Sequence, residues 1–279
     1  MPSSLFPVLS QFNSHKRDKD LKFFEEGHKY VILTDADSKY TSVTTWNHTH
    51  FPKFDADSVI KYMMKGKNWK EGHKYWGLTA EEIKKLWTNN GSTAGTDMHY
   101  EIECFMNNPN LQINYTHKDL YENYMMNNNE THCTTSLEWQ YFIEFIKETP
   151  NLKPYRTEWT IYHEDIKLAG SIDMIYENPD GTLSIYDWKR SKEIKKINNW
   201  NKYALTKSIC QMPDANFWHY ALQLNTYKAI LEAKYDKKVT DLYLVRLHPD
   251  AEEKTYELIK VPDLSSEMTE LFNDINKKE

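Results

Sequence analysis

Hydrophobic and polar positions alternate most regularly between residues 168 and 189, LAGSIDMIYENPDGTLSIYDWK. The pattern predicts two β-strands joined by a tight turn at Asn178-Pro179-Asp180-Gly181, with proline and glycine where turn geometry favours them. Along the second strand Leu183, Ile185, Asp187 and Lys189 share one face, and Ser184, Tyr186 and Trp188 share the other. Asp187 and Lys189 therefore point the same way, toward the place that also receives Asp173 from the first strand. Two carboxylates and a lysine converging at the end of an apolar hairpin are costly to desolvate unless a cation joins them. A divalent metal would meet that need and make a hydrolytic site. A solvated hairpin with ordinary surface charges is the other reading of so short a pattern.

The same reading extends along the chain. Residues 1–20 read as a loosely held arm, and 21–46 as two strand-like pieces around a polar turn at Asp35–Lys39. A helix follows, with Asp55 or Asp57 as its N-cap and Val59, Ile60, Met63 and Met64 at helical spacing. Thr79 and Glu82 form the capping-box start of a second helix over 79–90. A third opens near Thr93, with Gly95 marking a close backbone approach at its start. Its Met98, Ile102, Phe105 and Met106 should face the core, while His99 and Glu103, four apart, share another face. Residues 107–135 are Asn-rich and read as a loop with at most a short helix at 117–126. Helix 136–148 has Leu137, Phe142, Ile143, Phe145 and Ile146 as its apolar side. A strand begun by Glu158 then turns at Glu164-Asp165 into the hairpin; Glu158 is either a solvated strand end or a neighbour of the site. Helix 214–235 is long and amphipathic, with Gln223 and Tyr227 on one face and Leu222, Ile230 and Leu231 inward. Two strands within 241–261 and a polar helix close the chain, and no internal repeat is apparent.

Composition changes the picture in four ways. At 279 residues the chain can bury a sizeable core as one large domain or two small ones. No apolar run approaches the ~20 residues of a membrane span, and Met1 to Lys22 is polar rather than signal-like. Cys104, Cys133 and Cys210 are too widely spaced to suggest a disulfide framework or a cysteine metal site, so an intracellular, reducing compartment is expected. A net charge of −6 argues against indiscriminate binding to polyanions but leaves room for a local basic groove. Such a groove is suggested directly after Lys189, where Arg190, Lys192, Lys195, Lys196, Lys202 and Lys207 stand against the single acid Glu193. With Trp200 and Tyr203 interleaved, this stretch offers charge for a phosphate backbone and aromatics for base stacking. Lys61, Lys65, Lys67 and Lys70 fit a solvated helix face better than a phosphate track.

The order GTxxHxxxE (Gly95 to Glu103), GxxD (Gly170 to Asp173), DxK (Asp187 to Lys189) and QxxxY (Gln223 to Tyr227) resembles the RecB-like, λ-exonuclease-like branch of the PD-(D/E)xK nuclease superfamily. The resemblance covers roughly residues 91–230; the stretch before it, with HKY, SVTTW and FPKFDADSVI, is more weakly similar to nucleases of large DNA viruses and phages. It implies an α/β fold with a restriction-endonuclease-like core, a central mixed β-sheet flanked by α-helices. Residues 1–90 would be an N-terminal extension packed on a nuclease core at 91–279. It further implies His99, Asp173, Asp187 and the Trp188 carbonyl as ligands of Mg²⁺ or Mn²⁺, with Lys189 orienting or activating the attacking water. Glu103 or Glu158 would be an outer or second-metal carboxylate, and Gln223 and Tyr227 would line the DNA channel. The cysteine set of iron–sulfur relatives is missing, so no iron–sulfur cluster is expected. A Walker-type run is missing too, so a helicase, like a single-strand annealing protein, would be a separate partner. The activity implied is hydrolysis of DNA, single-stranded or at duplex ends, by an exonuclease in recombination, repair or viral genome processing. An RNA- or flap-directed endonuclease and a non-catalytic nucleic-acid-binding protein are the alternatives; a hydrolase of other phosphate esters fits the basic stretch less well.

Overall fold

The computed structural model describes residues 8–107, 114–127 and 136–276. Cys133 and both ends of the expected loop between 107 and 135 (108–113 and 128–135) lie outside the described residues, as does the start of the arm; the short helix expected at 117–126 is present over His117–Asn127. The chain runs α1 (Val8–Phe12), β1 (Leu21–Phe24), β2 (Lys29–Ile32), β3 (Thr41–Ser42), α2 (Val43–His48), α3 (Ala56–Lys65), α4 (Ala80–Met106), α5 (His117–Asn127), α6 (Leu137–Glu148), β4 (Lys153–His163), β5 (Leu168–Glu177), β6 (Leu183–Lys189), α7 (Asn216–Lys234), β7 (Val239–Arg246), β8 (Glu257–Lys260) and α8 (Ser265–Asn276).

The expected α/β architecture is present: a central mixed sheet between two layers of helices. Strand order is β3-β5-β6-β7-β8, with β4 on the other edge of β5. β3–β5 and β6–β7 are parallel; β4–β5, β5–β6 and β7–β8 are antiparallel. The alternation read in β6 holds. Leu183 and Ile185 join the core beneath α2, α7 and α8, while Tyr186 and Trp188 join the core beneath α4, α5 and α6. The hairpin turn closes at Asn178, whose carbonyl accepts from Gly181 N, with Gly181 at φ +80°.

Local signals that depend on a few neighbours are realised. Asp55 caps α3 through Ser58 N, and Thr79 with Glu82 forms a complete capping box on α4.

Several expectations are corrected. The two helices read at 79–90 and from Thr93 are one, α4; Gly95 sits inside it with open space around it, so it marks no close approach. Leu137 is exposed, and Trp139 and Tyr141 supply the buried side of α6 with Phe142, Phe145 and Ile146. The first hairpin, β1–β2, turns at Glu25–His28 rather than Asp35–Lys39. Residues 8–20 are not a loose arm: Asp18 accepts from Arg156 Nη1 at 2.7 Å and Trp159 Nε1 at 2.9 Å, and Asn13 Nδ2 donates to the Tyr155 carbonyl. Helix α7 is buried on more than one face, because α2, α8 and the sheet all pack on it.

Candidate active site

The site lies where the sheet opens. β6 pairs with β5 only from Met174 to Glu177, and β3 covers only Leu168 and Ala169. Gly170 to Asp173 therefore have no strand partner on that edge among the described residues. Extending the register by one step would set Asp173 opposite Asp187, so the two carboxylates stand at the first open position of the fork. One backbone group freed there is recovered by a side chain, since Trp188 N donates to Asp173 Oδ2 at 3.1 Å.

The other edge of β5 contributes Glu158. This residue is inside β4, not at its start, and is bracketed by the pairs Thr157–Met174 and Trp159–Ile172, which places it across from Asp173. Its φ of +42° is left-handed, a conformation costing about 1–3 kcal/mol in a non-glycine residue. The kink breaks the strand's alternation: Thr157 accepts from Asn107 Nδ2 at the end of α4, whereas Trp159, two residues on, lies in the core beneath α7. The Glu158 carboxylate accepts from Ser171 Oγ at 2.9 Å.

Helix α4 supplies the third wall. His99 Nε2 lies 2.9 Å from the Trp188 carbonyl, and Nδ1 lies 3.5 Å from Asp173 Oδ2. A carbonyl only accepts, so Nε2 carries a hydrogen. In the neutral ring Nδ1 then faces a carboxylate with its lone pair, an arrangement a shared cation relieves. His99, Glu158 and Asp173 each present a ligand atom within 4.8 Å of the others. Asp187 is 2 % exposed, and Lys189 Nζ stands 2.5 Å from its Oδ2. Among the described residues that buried oxygen has no partner besides this ammonium. Two facing acceptors and a crowd of buried acids set against one ammonium are the donor set of a hard divalent cation, and these residues fit one.

The electrostatics agree. Burial, and then the Asp173 charge, push Glu158 well above the usual carboxylate range. Burial and Asp173 raise Asp187 as well, with Lys189 opposing them. Burial pulls the Lys189 ammonium down, but Asp187 and Asp173 outweigh it, so the net shift is upward. Glu103, one turn along α4 from His99, is raised by burial.

The structure thus brings together His99, Glu103, Glu158, Asp173, Asp187 and Lys189. Of the expected ligands, His99 and Asp173 stand with Glu158 in the group whose ligand atoms lie within 4.8 Å of one another, Asp187 stands beside that group, and the Trp188 carbonyl lies 2.9 Å from His99 Nε2. Gln223 Nε2 donates to Tyr227 Oη at 3.1 Å, but Tyr227 is 3 % exposed, so it does not line an open channel. Its ring fills the space over Gly170, where a Cβ would sit 2.8 Å from Tyr227 Cε1. The basic stretch divides. Arg190 Nε donates to Glu138 on α6 at 2.7 Å, and Lys195 pairs with Glu193, while Lys192, Lys196 and Trp200 are exposed.

Two neighbours went unread in the sequence. The Lys189 ammonium lies 4.6 Å above the Tyr220 ring, and Ser171 holds Glu158. Both have a signal: Tyr220 is three residues before Gln223 on the same helix, and Ser171 is two before Asp173 on the same strand.

A mixed sheet that forks over two aspartates and a lysine from adjacent strands is a framework suited to holding a divalent cation. Consistent with that, residues 108–278, more than half of the chain, match the family model of the PD-(D/E)XK nuclease superfamily. The chain belongs to that superfamily, whose nucleases use divalent metals. Two solved structures are similar in part. One, of the protein SSO0001, shares 14 % identity over 88 % of this chain and 80 % of its own, with a TM-score of 0.34. The other, a protein of Eubacterium rectale described as a "Putative exonuclease", shares 12 % identity over 72 % of this chain and 83 % of its own, with a TM-score of 0.31. None of the curated proteins matches significantly. Among the described residues no helix is long and apolar enough to cross a membrane.

Proposed function

We propose that the protein is a deoxyribonuclease dependent on Mg²⁺ or Mn²⁺, an exonuclease of the RecB-like, λ-exonuclease-like branch acting on DNA ends in recombination, repair or viral genome processing. The observation that carries this reading is the fork: His99, Glu158 and Asp173 within ligand distance of one another, beside a buried Asp187–Lys189 pair. A divalent ion held there supplies charge to the phosphoryl oxygens and acidifies a bound water. The chain's own residues do the rest. Lys189, kept cationic by Asp187 and Asp173, donates toward the attacking oxygen or the phosphoryl group as a water O–P bond forms and the ester P–O bond breaks. The Tyr220 face and the Asp187 carboxylate fix the ammonium from two sides. Gln223, half-buried, reaches DNA where Tyr227 cannot, and Tyr227 positions it. The exposed members of the basic stretch, Lys192, Lys196 and Trp200, meet the backbone and bases beyond the site. Residues 1–90 act in this scheme as an extension of the core, continuous with it through α4 and contributing β3 to its sheet.

The test is cleavage of end-labelled linear DNA and of closed circles in Mg²⁺, Mn²⁺ or EDTA, with Lys189→Ala in parallel. Metal-dependent loss of linear DNA alone, absent in the variant, is expected. Cutting of circles would replace exonuclease with endonuclease, and full activity in a well-folded Lys189→Ala protein would refute the assigned chemistry.

A further inference from the structure

Two large aromatic side chains from distant parts of the sequence meet in solvent. Tyr62 on α3 is 67 % exposed and Trp200 is 65 % exposed, yet their ring centroids lie only 5.6 Å apart at an interplanar angle of 82°. Exposed aromatics scattered singly need no explanation, but a contacting pair that leaves most of both rings wet is a different matter.

Trp200 is presented rather than left dangling. Asn198 Oδ1 accepts from Trp200 N at 2.9 Å and from Lys202 N at 3.1 Å, while its Nδ2 donates to the Lys202 carbonyl at 2.6 Å. Asn201 takes the left-handed φ of +50° that closes this turn, a conformation asparagine tolerates well. The indole therefore stands at the tip of a turn closed by one side chain. Beside it opens a groove of about 290 Å³ edged by Lys195, Ile197 and Asn216.

The charge carried by the two segments is mostly positive, even with Lys195 paired to Glu193 and Arg190 to Glu138. Residues 58–70 carry four lysines and no acid, and residues 190–207 carry six bases against one acid, in a chain whose net charge is −6. Lys61 and Lys65 flank Tyr62 on exposed helix surface. Both elements also lead to the fork. The loop bearing Trp200 leaves β6 directly after Lys189, and α3 packs on α4, the helix of His99, through the Lys84–Asp57 ion pair among other contacts.

We propose that Tyr62 and Trp200 form a stacking platform for single-stranded nucleic acid, with the lysines of the two segments tracking its backbone. Exposed rings offer π-faces to unstacked bases, which a duplex keeps covered, and the surrounding cations suit a polyanion. The platform takes the strand that has been separated from its partner. This proposal rests on the nuclease reading above, which supplies the polynucleotide substrate.

The test is fluorescence anisotropy of the full-length protein in EDTA, where cleavage is suppressed. The probes are labelled oligothymidylate, labelled oligouridylate and a blunt DNA duplex. The unaltered protein should bind the single-stranded probes more tightly than the duplex. Trp200→Ala and Tyr62→Ala should each weaken single-strand binding by roughly tenfold, with melting temperature unchanged because both side chains are exposed. Trp200→Phe and Tyr62→Phe should restore most of the loss, and the two single-stranded probes separate DNA from RNA as the preferred strand. Alanine variants that bind oligothymidylate as tightly as the parent, or lose duplex and single-strand binding alike, would overturn the platform while leaving the nuclease standing. A parent protein that neither binds any probe nor cleaves DNA with metal would overturn both.

Discussion

Gly170→Ala tests whether the fork is as tightly built as its geometry indicates. The added Cβ would lie 2.8 Å from Tyr227 Cε1, 3.2 Å from Val43 Cγ2 and 3.3 Å from Tyr227 Oη. Two effects compete. Alanine restricts the unfolded chain and, where the native backbone suits it, stabilises by about 0.4–1 kcal/mol. Gly170 does suit it, since its φ is not in the left-handed region. Against this stands overpacking of a filled core, which costs about 1–3 kcal/mol. The clash should win, because Tyr227 and Val43 are both buried and the nearest atom is a ring carbon, not a mobile side-chain end. At about 2–4 °C per kcal/mol for a chain of this size class, calorimetry should show a clear drop in Tm. The same displacement pushes α7 from β5, three residues from Asp173, so cleavage should fall further than stability alone accounts for. Removing the ring relieves the clash: in a double-mutant cycle, Gly170→Ala should cost much less on a Tyr227→Leu background. A Gly170→Ala protein with unchanged or raised Tm would refute the reasoning.

Three further outcomes follow from the same geometry. Mn²⁺ or Mg²⁺ should raise Tm, by the equivalent of about 2.7 kcal/mol at a hundredfold excess over Kd, and Asp173→Asn should abolish the shift; an equal shift in the variant would remove Asp173 from the ligand set. His117 is buried between Tyr176 Oη at 2.9 Å and Thr149 Oγ1 at 2.8 Å, and burial holds its pKa down at about 3. The unfolded chain then binds the proton first, so this stability is complete above pH 6.5 and is lost as pH falls toward 3, at up to about 1.4 kcal/mol per unit. Denaturation at pH 7 and pH 5 should show His117→Gln losing less than the parent, and equal losses would contradict the assignment. Asp18→Ala should destabilise by about 2–4 kcal/mol in urea titrations, because it leaves the Arg156 guanidinium, 6 % exposed, without its carboxylate; Asp18 is itself partly exposed, which tempers the loss.

What could be read from the sequence was what depends on near neighbours. The 168–189 hairpin was legible because alternation, a Pro-Asp-Gly turn and three charged residues fall within one short stretch. The Thr79–Glu82 box and the Asp55 cap were legible for the same reason, each closing over three residues. Features that depend on distant partners were not. Asp18 meets Arg156 across 138 positions, so the arm looked loose when it is pinned. Glu158 looked like a strand end because nothing in a period of two signals a left-handed residue. Tyr227 looked like a channel residue because its spacing from Gln223 is the same whether the face they share is wet or buried.

The features that oppose stability in this chain converge on one place. Glu158 holds a left-handed backbone in mid-strand, Asp187 is a fully buried carboxylate, and β5 leaves Gly170 to Asp173 without a strand partner on one edge among the described residues. Each is a departure that local packing would remove if the only requirement were a stable sheet: continuing the β5–β6 pairing by four residues would close the fork. The surroundings instead hold it open. Tyr227 wedges against Gly170, the Trp188 N–H is met by the Asp173 carboxylate, and His99 fastens the Trp188 carbonyl to α4. Strain maintained by several independent contacts, around Glu158 and Asp187 carboxyls whose proton affinity is raised first by burial and then by the neighbouring Asp173 charge, suits a site that a cation would relieve. The fork therefore explains why the aspartates, the lysine, the left-handed glutamate and the close-packed glycine occur together, where a solvated hairpin would account for none of them.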